Sequence, residues 1–155
     1  MKDKISRRSF LAAAAVSAAA LAVSGCDAKT SKKEVTDITV WNYYNGDQLE
    51  SFNRLVSTFN ETIGKAKGIR VTGSSQGTVN DLEANVMDAA EGKVGSAEMP
   101  TIFAAYADTA YKLDQMGMVV DLKDYLTEDE KAAFVPGYIT EGDFDGSGSI
   151  KIFPV

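Results

Sequence analysis

Thr36-Asp-Ile-Thr-Val-Trp-Asn42 is short, β-branched and nearly continuous in apolar character around Ile38 and Val40, which is the composition of a buried strand. Directly after it the period changes. From Asp47 to Ile63 the residues Leu49, Phe52, Leu55, Val56, Phe59 and Ile63 recur at helical spacing and fall on one predicted face. Gly64 and Gly68 punctuate the end of that helix.

The alternation then repeats. Gly68 to Thr72 reads as a second strand around Ile69 and Val71, and Gly73 to Gly77 as a loop. Thr78 is placed to cap a helix, with Asp81 in capping-box position and Val79, Leu82, Val86 and Ala90 on its apolar face. Gly92 stops it. Pro100 to Ala105 reads as a third strand and Asp108 to Met116 as a third helix, followed by a short apolar piece, Met118 to Val120. Asp121 to Leu126 is expected to form one or two helical turns. Thr127-x-x-Glu130 opens a further helix through Phe134, which Pro136 and Gly137 end. Glu141 to Ser149 is a turn-rich acidic loop, and Ile150 to Val155 is expected to be a strand.

Strands alternating with amphipathic helices predict an α/β fold with a parallel sheet and right-handed crossovers. The chain ends in apolar, strand-like sequence with no polar tail. That ending leads us to expect a fragment of a longer protein, because an unpaired terminal strand invites aggregation.

Composition narrows the chemistry. The 155 residues include 16 Lys+Arg, 22 Asp+Glu, no His and one Cys, for a formal charge of −6. Without His there is no Ser-His-Asp triad, no Cys-His pair and no His-ligated zinc. A single Cys gives no intrachain disulfide and no thiolate cluster. The acidic balance argues against nucleic acid as a partner, since phosphate recognition needs a positive field. The sequence contains no P-loop, no G-x-G-x-x-G and no G-x-S-x-G motif. No cofactor is expected.

Residues 1–25 read as an export signal rather than as part of the fold. Lys2, Lys4, Arg7 and Arg8 form a positive region, and Leu11 to Val23 is an Ala-rich apolar run, short for a membrane span. Ser6-Arg7-Arg8-Ser9-Phe10-Leu11 resembles a twin-arginine export signal, although Ala12 stands where that pattern often has Lys. Val23-Ser-Gly-Cys26 resembles the lipobox of bacterial lipoproteins. That resemblance implies that Cys26 receives a diacylglycerol and becomes the new N-terminus. The mature chain is then more acidic than the whole, sits at the extracytoplasmic face of a membrane, and begins with a polar tether, residues 26–35. Residues 36–155 form the folded part.

In open parallel sheets ligands bind beyond the carboxyl ends of the strands. Three predicted loops lie there: Asn42 to Gly46, Ser74 to Gly77, and Tyr106 to Thr109. Their candidate ligand contacts are Tyr43, Tyr44, Asn45, Ser75, Gln76, Tyr106 and Asp108. Aromatic rings pack on the apolar faces of a sugar, while amides, hydroxyls and carboxylates bond its hydroxyls. Several have a plainer reading: packing beside Trp41 for Tyr43 and Tyr44, a solvated turn for Ser74 to Gln76, and a helix cap for Asp108. Asp143-Phe-Asp145-Gly-Ser147-Gly148-Ser149-Ile150 faintly matches a calcium loop, but its twelfth position is Pro154 where a bidentate Glu is needed, so it reads as a turn and no metal is expected.

Export signal, lipobox and β-α-β order together resemble the extracellular solute-binding proteins of ABC transporters, in particular the carbohydrate-type group that includes maltose- and glycerol-3-phosphate-binding proteins. The stretches carrying the resemblance are Ile38-Thr-Val-Trp41, Leu49 to Asn60, Glu98 to Asp108 running on to Gly117 to Leu122, and Gly148 to Val155. The resemblance implies a type II periplasmic-binding fold of two lobes closing on a small polar solute, a sugar or sugar phosphate, and docking on a membrane permease. This chain would be the first part of the N-terminal lobe. Asp108 stands where relatives place a sugar-binding acid, and Ala105 where the maltose-binding type carries an aromatic, which puts maltose in doubt. The competing expectations are a lipid-anchored glycosidase using a carboxylate pair among Asp47, Asp108 and Glu141, and an adhesive surface lipoprotein without a small-molecule ligand.

Overall fold

The computed structural model describes residues 35–154. The export signal, the lipobox with Cys26 and nearly all of the tether therefore lie outside the described residues, as does Val155. None of the described helices is long and apolar enough to cross a membrane.

Strand β1 (Thr36–Asn42) lies in the middle of a three-stranded sheet of order β2-β1-β3, with β2 at Ile69–Ser75 and β3 at Ile102–Phe103. Both pairings are parallel, with Val40 opposite Gly73 on one side and Ile102 on the other. An α/β architecture with a parallel sheet is thus present. Strand β2 runs three residues further than its apolar pattern indicated, because Gly73 to Ser75 continue the ladder against Val40 to Asn42. Strand β3 is much shorter than Pro100–Ala105. Pro100 brings no N–H, and at the next position side chains replace the ladder: the Thr101 N–H donates to Thr39 Oγ1 at 2.9 Å and the Thr39 N–H to Thr101 Oγ1 at 3.2 Å.

Helix α1 (Gly46–Phe59) continues through a π-helical segment, Asn60–Gly64, into a last α turn, Lys65–Lys67, and Gly68 ends it with φ 73°. Phe52 sets its face to the sheet: a Cβ on Gly73 would fall 2.5 Å from the Phe52 ring. Two residues of the expected apolar face turn outward, Leu55 (69% exposed) and Ile63 (54%). At 100° per residue Leu55 lies about 40° outside the arc of the other five. The π turn, with more residues per turn, carries Ile63 out of phase.

Helices α2 (Val79–Ala90) and α3 (Ala107–Gln115) build the main core with β1. Trp41, Leu82, Val86 and Leu113 form it, flanked by Met99, Phe103 and Val119. The Thr78–Asp81 capping box is formed in both directions, with the Asp81 N–H on Thr78 Oγ1 at 3.2 Å and the Thr78 N–H on Asp81 Oδ2 at 3.0 Å. The second box, Thr127 with Glu130, opens α4 (Glu128–Ala133) in the same way.

Three expectations for the last third need correction. Asp121 to Leu126 is a turn, not a helix, because the Asp121 carboxylate bonds the Lys123 N–H at 2.9 Å and pulls the chain round. Pro136 and Gly137 do not only end a helix. They begin another, α5 (Pro136–Ile139), where Pro at the first position lacks only an N–H that had no helical partner. Residues 150–154 form no strand. The Ile150 N–H donates to Asp121 Oδ1 and its carbonyl accepts the Leu122 N–H, and the segment then packs across Gly142, where a Cβ would fall 2.6 Å from the Ile152 nitrogen. Phe153 meets Phe134 edge-on at 5.1 Å, and Lys151 pairs with Asp114 at 3.2 Å.

Candidate functional site

The strand order decides where a site can lie. From β1 the chain moves to β2 on one side, then returns past β1 to β3 on the other. The carboxyl ends of β1 and β3 therefore flank a topological switch point, where open α/β sheets form a crevice.

The loop after β1 is braced by residues at the end of β2. The Gln76 N–H donates to the Asn42 carbonyl at 2.8 Å, and the Ser75 hydroxyl donates to the Tyr44 carbonyl at 2.8 Å. Asn42 Oδ1 accepts the Tyr44 N–H at 3.0 Å. The rings of Tyr43, Tyr44 and Phe52 continue as two edge-to-face contacts, each 5.5 Å between centroids. Tyr44 is held between its neighbours, while Tyr43 is 36% exposed at the strand tip.

The predicted residues thus divide by the use of their polar groups. The Ser75 hydroxyl is taken by Tyr44. Gln76 is occupied at both ends, its Nε2 donating to Ser74 Oγ at 2.9 Å and its Oε1 accepting from Asn85 Nδ2 at 3.0 Å. Both act as braces in this arrangement. Asn45 precedes α1 and makes no side-chain cap bond, so its amide is exposed at the loop.

The third loop joins the same sheet end through the Ala104 N–H, which donates to the Trp41 carbonyl at 3.0 Å. Tyr106 is the residue before α3 and is 63% exposed. Asp108 sits in the first turn of α3, where a carboxylate is favoured by the helix dipole, and faces Lys112 at 3.8 Å. No hydrogen bond, ion pair or ring contact links Tyr106 or Asp108 to the other two loops among the described residues. The sheet brings the three loops to one end; side chains tie together only the first two.

One site residue escapes reading by composition. Asn42 ends β1 and is 2% exposed, with its Nδ2 buried and without a hydrogen-bond partner. A polar residue closing an apolar strand, two positions after Val40, was the available signal.

The carboxylates named for hydrolysis are dispersed. Asp47 lies in the first turn of α1, Asp108 in that of α3, and Glu141 in the turn after α5. No hydrogen bond connects any two of them. In the acidic loop, Asp143 accepts the Gly148 N–H and the Ser149 hydroxyl, and the Ser147 hydroxyl, then the Ser147 N–H, hold the Asp145 carboxyl below the usual carboxylate range. No cluster of three or more metal-binding side chains occurs among the described residues.

No protein-family model and no curated protein sequence matches this chain. Solved structures do. A cyclic α-maltosyl-1,6-maltose binding protein from Arthrobacter globiformis superposes on 72% of the chain with a TM-score of 0.59 at 20% identity. A protein solved with mannotriose bound, CpMnBP1, covers 74% of the chain with a TM-score of 0.55 at 16% identity. At such identities the likeness is one of fold. The chain spans 27% of the length of each of these two proteins.

Proposed function

We propose that this chain carries part of the solute site of an extracytoplasmic carbohydrate-binding protein, with a neutral sugar or a sugar phosphate as ligand. The observation that carries the reading is the pair of exposed tyrosines, Tyr43 and Tyr106, following neighbouring parallel strands at the switch point. Aromatic faces at a braced strand end suit the apolar faces of a pyranose, and Asn45 and Asp108 beside them suit its hydroxyls. The fold likeness adds support, since one neighbour is described as a binding protein for a cyclic maltosyl-maltose and the other holds mannotriose.

The remaining features of the proposal come from the sequence. The whole protein is a type II binding fold of two lobes, of which this chain forms the first part. Cys26 carries the lipid that holds it to the outer face of the membrane. Closure of the lobes on the solute makes the form that docks on an ABC permease, and closure follows from tighter binding to the closed form than to the open one. The site binds and releases its solute unchanged.

Calorimetric titration with neutral oligosaccharides and sugar phosphates, with analysis of the recovered sugar, tests the reading. Saturable binding with intact sugar is expected. Cleaved glycoside would replace the reading by a hydrolase, and no heat with any sugar would leave an adhesive role. Mass spectrometry of membrane-extracted protein tests the anchor: a diacylglycerol on Cys26 is expected, and a free thiol there removes it.

A further inference from the structure

The amide of Asn42 is set in one orientation. Its Oδ1 accepts the Tyr44 N–H at 3.0 Å, and a flipped amide would put two donors against each other. The free atom is therefore Nδ2, which is buried and has no acceptor. The Asn42 carbonyl takes the Gln76 N–H and the Tyr44 carbonyl takes the Ser75 hydroxyl, and neither accepts from Nδ2.

A buried donor without a partner destabilises a fold, because its lost hydration is not replaced. An apolar residue at this position would avoid that, and Val40, two positions earlier in the same strand, is apolar. The chain instead keeps an amide donor at the last position of β1, beside the switch point.

We infer that Asn42 Nδ2 is the specificity-determining donor of the site, satisfied by an oxygen of the bound solute after a small shift of the loop Tyr43 to Asn45. This rests on the carbohydrate reading above. A solute that presents an acceptor oxygen gains a bond and relieves the orphaned donor. An analogue that lacks the oxygen leaves the donor buried and unpaired, so the site discriminates between them by far more than a contact on an open surface would.

The test uses the whole two-lobed protein that contains this chain, labelled with nitrogen-15 and titrated with mannotriose and, separately, with maltotriose. The Asn42 side-chain resonances are assigned by their loss in Asn42→Asp, which keeps an oxygen for the Tyr44 N–H and replaces the donor. On saturation with either sugar, the Asn42 NH2 protons should move to the positions of a hydrogen-bonded amide and exchange with water at least tenfold more slowly. Asn42→Asp should bind that sugar at least tenfold more weakly. Because the spectrum is read on the unaltered chain, a variant that fails to fold does not remove the test. Sugar binding that leaves the Asn42 resonances in place overturns the inference and leaves the carbohydrate site standing. Binding of neither sugar overturns the inference and its premise together.

Discussion

Asn60 holds both backbone groups of Val71: its Nδ2 donates to the Val71 carbonyl at 2.8 Å, and its Oδ1 accepts the Val71 N–H at 2.8 Å. Val71 lies on β2, an edge strand of the described sheet, and an edge strand offers unpaired groups to any passing chain. The carboxamide imitates a further strand at one position. The π turn that begins at Asn60 accompanies this close approach of helix and edge.

Removing that cover should be visible in two ways. Asn60→Ala should destabilise the fold by about 1–3 kcal/mol in urea unfolding and should increase light scattering at high concentration. Asn60→Asp keeps the acceptor but sets a carboxylate against the Val71 carbonyl. It should be the worse variant at neutral pH and recover in part below a pH of about 4, where protonation restores a donor.

Gly64 should reverse the usual helix rule. Ala for Gly inside a helix normally stabilises by up to about 1 kcal/mol. A Cβ on Gly64 would lie 2.6 Å from the Ile69 carbonyl oxygen and 3.0 Å from Phe59, so Gly64→Ala should lower the thermal midpoint. Gly137 meets no atom within 4 Å and serves as the control. Gly137→Ala should leave the midpoint unchanged or raise it, and a fall for both variants would discredit the steric account.

Legibility of the chain followed the locality of the forces. Strand β1, helix α1 and both capping boxes stand close to where their patterns put them, because each is decided by residues within one or two turns. Strand β3 and the segment from Ile150 onward were over-read. Their apolar composition is that of a strand, but the Thr39–Thr101 exchange and the Asp121–Ile150 bond join residues far apart in sequence and replace ladder bonds. The site was legible as three loops at one sheet end. Its inner wiring was not: composition does not reveal that Ser75 and Gln76 spend their polar groups on Tyr44, Ser74 and Asn85, or that Asn42 keeps one idle.

Asp121 should control part of the acid stability of the last third. The Ile150 N–H, then the Lys123 N–H, hold its carboxyl below the usual carboxylate range. A carboxylate whose pKa is lower when folded stabilises the fold above its unfolded value, about 3.9, and loses that contribution as the pH falls through the lower folded value. Between pH 7 and 5 the contribution is constant. Below that it declines, and the Ile150 amide proton should report the titration in proton NMR. Asp121→Asn should flatten the acid limb of the stability curve and lower the plateau.

The two exposed tyrosines should matter for binding, and Tyr106 little for folding. Tyr43→Ala and Tyr106→Ala should each weaken sugar binding by roughly tenfold, in keeping with the value of an aromatic contact. The thermal midpoint should hardly move for Tyr106, which is 63% exposed and makes no ring contact among the described residues. Gln76→Ala should show the opposite balance, since it loses the bonds to Ser74 and Asn85 and slackens the brace on Asn42.

Mapping of backbone amide shifts on the whole two-lobed protein that contains this chain, titrated to saturation with mannotriose or maltotriose, addresses the central claim most directly. The account predicts shifts confined to residues 42–46, 75–77 and 104–109, at one end of the sheet. Shifts concentrated instead in residues 128–150, or a spectrum unchanged by both sugars, would contradict it.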